Sequence, residues 1–269
     1  MKFEKDMTKI HFFRILSVAL GIAFVAVSAG AGAQTVSLSQ EPASPQYGAF
    51  ELKFAPYRPA VDDNPSLTGT PYKDVFKDKT MFLTALEFDW QFVHPPGVSF
   101  GIGFSFGFMQ AYAKSLIADT GEESVDYTVL NVMPFAALLV ARIDALADFV
   151  NVPLVPYFKI GFNWYLWWIL GGGDTASYTW TDDNGTEHTE SGRGGTMGWQ
   201  LSPGLALRLD GFDKKSARTF DNEIGVNHSY LFVEFLWAFV NHFGNDDHMN
   251  LSTDTFGGGT VLGGLALEF

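Results

Sequence analysis

Apolar and polar residues alternate with a period of two along most of this chain. In 47–57, Phe50, Leu52 and Phe54 interleave with Ala49, Glu51 and Lys53, the spacing that sends successive side chains to opposite faces of a strand. The same spacing predicts strands over 80–92, 98–112, 125–143, 152–170, 195–210, 226–240 and 257–269. In 80–92, Phe82, Leu86, Phe88, Trp90 and Phe92 share one face and Glu87, Asp89 and Gln91 the other. In 98–112 five aromatic or branched residues, Phe100 to Phe108, alternate with Gly101, Gly103, Ser105 and Gly107. The last strand puts Val261, Gly263, Leu265, Leu267 and the terminal Phe269 on one side, with Glu268 on the other.

Polar segments rich in Gly, Pro, Asn and Asp separate these runs. They are 58–79, the tight turn His94-Pro95-Pro96-Gly97, 113–124, 144–151, 171–194, 211–225 and 241–256. Eight strands is an even number, as an antiparallel barrel with both termini at one end requires. The expected fold is all-β: an eight-stranded, antiparallel, up-and-down transmembrane β-barrel with a filled polar lumen. Strands of about 9–11 residues suffice to cross a bilayer at a tilt, so the longer ones are expected to project beyond it. One segment admits another reading. Residues 133–150 can be drawn as a buried helix, interrupted by Arg142, Asp144 and Asp148, and the helical reading stays open after Ile143.

Magnitudes decide which face meets lipid. A Lys or Arg facing hydrocarbon at the midplane costs roughly 2–4 kcal/mol, so Lys53, Lys159 and Arg208 are expected inside, among Glu51, Glu87, Asp89, Glu234 and Glu268. An eight-stranded barrel is just wide enough for side chains to fill. A lumen of paired charges, Gly and Tyr is expected, sealed against flow. Trp90, Trp168, Trp199 and Trp237 lie near strand ends, where interfacial aromatic girdles form.

The first 33 residues carry the pattern of a secretory signal peptide. Lys2, Lys5, Lys9 and Arg14 precede an apolar run over 15–27, and Ala31-Gly32-Ala33 offers a cleavage site before Gln34. The apolar run is short for a membrane anchor. Residues 34–46, with Pro42 and Pro45, read as a periplasmic lead-in, and 47–269 as the barrel. The chain has no Cys, which removes disulfides, thiolate metal sites and Cys nucleophiles together.

Charge narrows the partners. Removal of residues 1–33 takes away four basic and two acidic side chains and moves the formal charge from −13 to −15, which argues against nucleic acid. With periplasmic termini, the segments facing outward are 58–79, which is neutral, and 113–126, 171–194 and 241–256, at −3, −4 and −3.

A family resemblance rests on short motifs in order: Ala55-Pro56-Tyr57-Arg58-Pro59, Thr70-Pro71-Tyr72, Val155-Pro156-Tyr157, Tyr165-Leu166-Trp167-Trp168, Gly198-Trp199-Gln200-Leu201, and the run from Gly225 to Glu234. Together they resemble an uncharacterised family of outer-membrane β-barrels from myxobacteria and their relatives. The resemblance implies location and fold, and carries no activity.

Candidate chemistry is sparse. His228, Ser229 and Glu234 offer a base, a nucleophile and a carboxylate, the set an outer-leaflet lipid-modifying enzyme such as a lipid A deacylase would use. Consecutive His228 and Ser229 face opposite sides of a strand, so a lumen His–Glu network is the competing reading. Asp246, Asp247 and Asp254, with neighbouring Asn245, His248 and Asn250, offer oxygen ligands for Ca²⁺ without the spacing of a known binding loop, as does Asp182-Asp183-Asn184-Gly185. No cofactor is implied. The expected role is structural or interactive: a monomer contacting outer-membrane lipids and lipopolysaccharide, recognised by the barrel-assembly machinery through Phe269, and presenting acidic loops. A lipid-modifying enzyme and a narrow channel are the alternatives.

Overall fold

Strand β1 (Gly48–Tyr57) hydrogen-bonds along one edge to β2 (Met81–Val93) and along the other to β8 (Thr260–Glu268), so the first and last strands of the sheet close on each other. Between them run β3 (Ser99–Leu116), β4 (Glu123–Arg142), β5 (Leu154–Gly171), β6 (Arg193–Arg208) and β7 (His228–Phe239), each antiparallel to its neighbours. The result is a closed eight-stranded up-and-down barrel with no unpaired edge. The computed structural model describes residues 47–116, 123–181, 186–210 and 225–269. The expected signal peptide and lead-in, 1–33 and 34–46, lie outside the described residues.

All eight expected strands are present, each shifted by no more than a few residues. Their alternation also holds. Phe104, Leu139, Ile160, Val233 and Leu265 are exposed on the outer face, at 42–62%, whereas Glu51, Glu87, Asp89, Lys159 and Glu234 inside are at most 2% exposed. Trp90 and Trp199 stand exposed on the outer face. Trp168 packs against Phe108, and Trp237 against Phe235.

The wall is uneven in height. Strands β3, β4 and β5 have 18, 20 and 18 residues, against 10 in β1 and 9 in β8. Segment 171–194, expected as a polar loop, continues the wall. Asp174–Thr175 pairs with the end of β5, and Ser177–Thr181 pairs with Glu187–Ser191 as a two-stranded ribbon. Its Thr, Tyr and Trp residues favour extended backbone; its tip, 182–185, lies outside the described residues.

Among the described residues, two connections hold α-helices. Ala145–Phe149 forms a short helix, α2, in the turn after β4, so the helical reading past Ile143 is realised for that piece alone. The turn after β2 packs against it. Gly97 has φ 77°, and any side chain there would meet Ala145 and Phe149. Segment 58–80 contains a 3₁₀ turn, Val61–Asp63, and helix α1 (Pro71–Phe76). Proline at the first helical position and Lys77 in the left-handed conformation at the end bound α1.

The interior has two halves. Toward the end that holds Tyr47 and Phe269 lie the buried charges, with smaller apolar clusters around Leu138 and Phe232 beside them. Toward the opposite, loop end, Tyr57, Met81, Met109, Leu130, Tyr165, Leu236 and Leu262 form an apolar cluster that receives Tyr72 and Phe76 of α1. The inward face is therefore not charged throughout, as the alternation alone had implied. A plug built from apolar side chains needs an apolar socket, because an unpaired charge buried against it would remain desolvated.

Candidate functional site

The charged half begins with Lys159 on β5. Its ammonium contacts Glu87 Oε1, lies 2.6 Å from Glu51 Oε2 and 3.7 Å from Glu234 Oε2, and reaches within 3.9 Å of Asp89 Oδ2. Lys53 on β1 donates to Glu87 Oε2 at 2.7 Å and lies 3.3 Å from Glu51 and 3.4 Å from Glu234. Tyr157 adds a hydroxyl to Glu234 at 3.2 Å. A layer nearer the termini is centred on Glu268, which accepts from Tyr230 at 2.6 Å, from Gln91 at 2.8 Å and from Arg142 at 3.4 Å. The Arg142 guanidinium also lies over the Tyr230 ring, 5.2 Å from its centre.

Alternation delivers these groups inward from different strands, and closure of the sheet brings them together. The glycines make room. A side chain at Gly103 would collide with Asp89 Oδ1, and one at Gly204 would collide with the Tyr157 ring.

Of the residues singled out from the sequence, Glu51, Lys53, Glu87, Asp89, Lys159 and Glu234 converge directly, and Glu268 joins through Arg142. Arg208 does not converge with them. It pairs with Asp148 at 3.0 Å and lies 3.9 Å from Asp144, both in the β4–β5 turn. Arg142 occupies the interior instead, 3.8 Å from Glu51. It shares the inward parity of Leu138 and Val140 on β4, so the rule that keeps basic residues off the lipid face could have found it; its sequence reading as a break in a helix hid it.

Carboxylate oxygens of Glu51, Glu87 and Asp89 lie within 4.8 Å of one another. That spacing would suit a cation, but Lys159 already supplies one among them.

The remaining candidates separate. His228 Nδ1 pairs with Asp210, which also accepts from the Ser229 backbone N–H at 3.1 Å. Glu234 is engaged by Lys53 and Tyr157. No relay links His228, Ser229 and Glu234. Asp254 pairs with Arg58, whereas Asp246 and Asp247 keep exposed side chains, and the three do not converge on one point. Residues 182–185 fall outside the described set.

The loop end is closed by two segments that clasp each other. Tyr57 donates its hydroxyl to Leu251 O at 2.5 Å, Arg58 reaches both the carbonyl and the carboxylate of Asp254, and Pro59 bridges to Thr253. The Asn64 amide donates to Asp246 O and His248 O, both at 2.9 Å, and the Ser66 hydroxyl to Asp246 O at 2.7 Å. Thr196 on β6 donates to Met249 O at 3.0 Å. Segment 241–259 thus folds across the mouth and is tied to segment 58–66. Between α1 and the inner wall of β4 and β5 a cleft of about 460 Å³ stays open. Beside it His242 and His248 stack with centroids 3.6 Å apart.

Among the described residues, two titrating groups outside the strands are perturbed. Burial pushes the Tyr72 hydroxyl up, where it donates to Lys79 O. Burial and then the nearby charge of Glu268 raise the Asp144 carboxyl, which accepts from Ser99 at 3.1 Å.

No protein-family model matches the chain, and no curated protein matches it. Solved structures resemble it in shape. Ail, the attachment invasion locus protein of Yersinia pestis, is 12% identical with a TM-score of 0.42, over 83% of this chain and 99% of that one. Neisserial surface protein A is 10% identical with a TM-score of 0.40, over 85% and 100%. The N-terminal β-barrel domain of Pseudomonas aeruginosa OprF is 9% identical with a TM-score of 0.32, over 84% and 100%.

Proposed function

We propose that the protein is an integral outer-membrane β-barrel whose loop end faces outside and whose termini face the periplasm. Its role is structural and interactive, exercised through the loops. The observation that carries the reading is the inversion of the barrel: large apolar side chains stand exposed on the outside of every strand while ion pairs are sealed inside. In water this arrangement would expose far more contiguous apolar surface than a monomeric soluble protein tolerates. In lipid the same belt is at its lowest energy, and the closed ladder leaves no open sheet edge in the wall. A myxobacterial family, a monomeric state, contact with lipopolysaccharide and recognition of Phe269 by the assembly machinery belong to the same proposal.

The lumen argues against a channel, since side chains fill it from wall to wall; the cavity beside Lys53 and Glu234 measures about 30 Å³, roughly room for one water. The separation of His228, Ser229 and Glu234 argues against the hydrolytic reading.

Because the chain has no Cys, single introduced cysteines report topology cleanly. In intact cells a membrane-impermeant maleimide should label Asp247→Cys at the loop end, and should label His94→Cys only after the outer membrane is permeabilised. The reverse pattern, or recovery of the protein in the soluble fraction, would overturn the placement.

A further inference from the structure

The cleft at the loop end is built to hold something apolar. Its inner side is formed by Tyr72, Val75 and Phe76 of α1 and its outer side by Leu130, Trp167 and Ile169 of β4 and β5. At about 460 Å³ it falls within the range of small-molecule pockets, roughly 300–1,000 Å³.

Part of its polar lining is already committed to holding the mouth together. The Asn64 amide and Ser66 hydroxyl are spent on backbone carbonyls of 246 and 248. What remains there is a carboxylate pair, together with the His248 ring, which stacks on His242. Asp246 and Asp247 line the cleft and are exposed, and no basic side chain among the described residues pairs with them. Wall and rim therefore ask for different ends of one molecule.

We infer that this cleft binds a cationic amphiphile from the outside, its compact apolar body between α1 and the β4–β5 wall and its ammonium at Asp246 and Asp247. The apolar wall contributes most of the affinity through surface removed from water. The rim contributes selectivity for charge, and that selectivity weakens as salt is raised.

A series of equal shape and different charge tests this: 1-aminoadamantane, 1-adamantanol and 1-adamantanecarboxylate, titrated into the folded full-length barrel in nanodiscs of zwitterionic lipid. Trp fluorescence is the readout, with Trp167→Phe identifying the signal from the cleft. The amine should bind saturably and about fivefold more tightly than the alcohol, the scale of an exposed ion pair, and the carboxylate most weakly. Asp246→Asn with Asp247→Asn should bring the amine down to the alcohol without changing the alcohol. Ile169→Trp, which fills the cleft, should abolish binding of all three while the barrel keeps its heat-modifiable mobility. Absence of saturable binding, equal binding of the three probes, or unchanged binding by the filled variant would overturn the proposal. Since the barrel is purified and folded, failure here leaves its membrane placement to be judged by the cysteine labelling.

Discussion

Lys159 Nζ lies 2.6 Å from Glu51 Oε2 across the full width of the barrel, since β5 and β1 are four strands apart in either direction around the sheet. One ion pair thus braces opposite walls. With Lys53 and Glu87 it forms a layer of buried charges across the lumen.

Removing one member of that layer leaves its partners charged and desolvated. Lys159→Met should destabilise the barrel by about 3–5 kcal/mol, measured by denaturant unfolding in lipid vesicles. Lys159→Met combined with Glu51→Gln should recover part of the loss, because the second change removes a carboxylate the first had stranded. Equal losses for single and double variants would show that the bridge is not energetically coupled.

The outer belt predicts an effect that depends on position. Phe104→Arg places a charge on the exposed face of β3 opposite Ala137 and Phe88, and should cost roughly 2–4 kcal/mol if it sits in hydrocarbon. Val125 is 91% exposed near the start of β4, at the loop end, and Val125→Arg should stay within about 0.5 kcal/mol of the parent. The difference between the two midpoints of unfolding in lipid is the diagnostic quantity.

The clasp across the mouth can be opened without touching the barrel. Asn64→Ala removes the two bonds to Asp246 O and His248 O and should free segment 241–250. Phe243 is exposed there with φ 58°. Chymotrypsin should cut after Phe243 faster in the variant, while the unfolding midpoint of the barrel stays unchanged.

Asp144 gives a pH dependence with a defined sign. Its folded carboxyl titrates above the ordinary aspartate value because it is buried and faces Glu268. In that window the folded state binds the extra proton, so the contribution of Asp144 is fully present below the ordinary value and is lost as pH rises through the raised one. Asp144→Asn, which resembles the protonated form, should flatten this part of the profile of unfolding midpoint against pH. A steeper profile in the variant would contradict the assignment.

Much of this protein is set by sequence alone. A two-residue period, strict enough to carry Phe100 through Phe108 on one face, determines strands, their number and which side each residue takes, because pleated backbone alternates regardless of what surrounds it. The cost of a charge in hydrocarbon then places Lys53 and Lys159 inside. Closure of the sheet decides the rest, since it sets who meets whom across the lumen. Only the three-dimensional register puts Arg142 beside Glu268 while Arg208 turns to Asp148, and only it shows that the loop-side interior is apolar and receives Tyr72 and Phe76. Such contacts join residues up to about 200 positions apart, as Tyr57 to Leu251 are at 194, and no local pattern records them. The cleft likewise draws its lining from segments far apart in the sequence, around Tyr72, Trp167 and Met249, and exists only once the chain has folded.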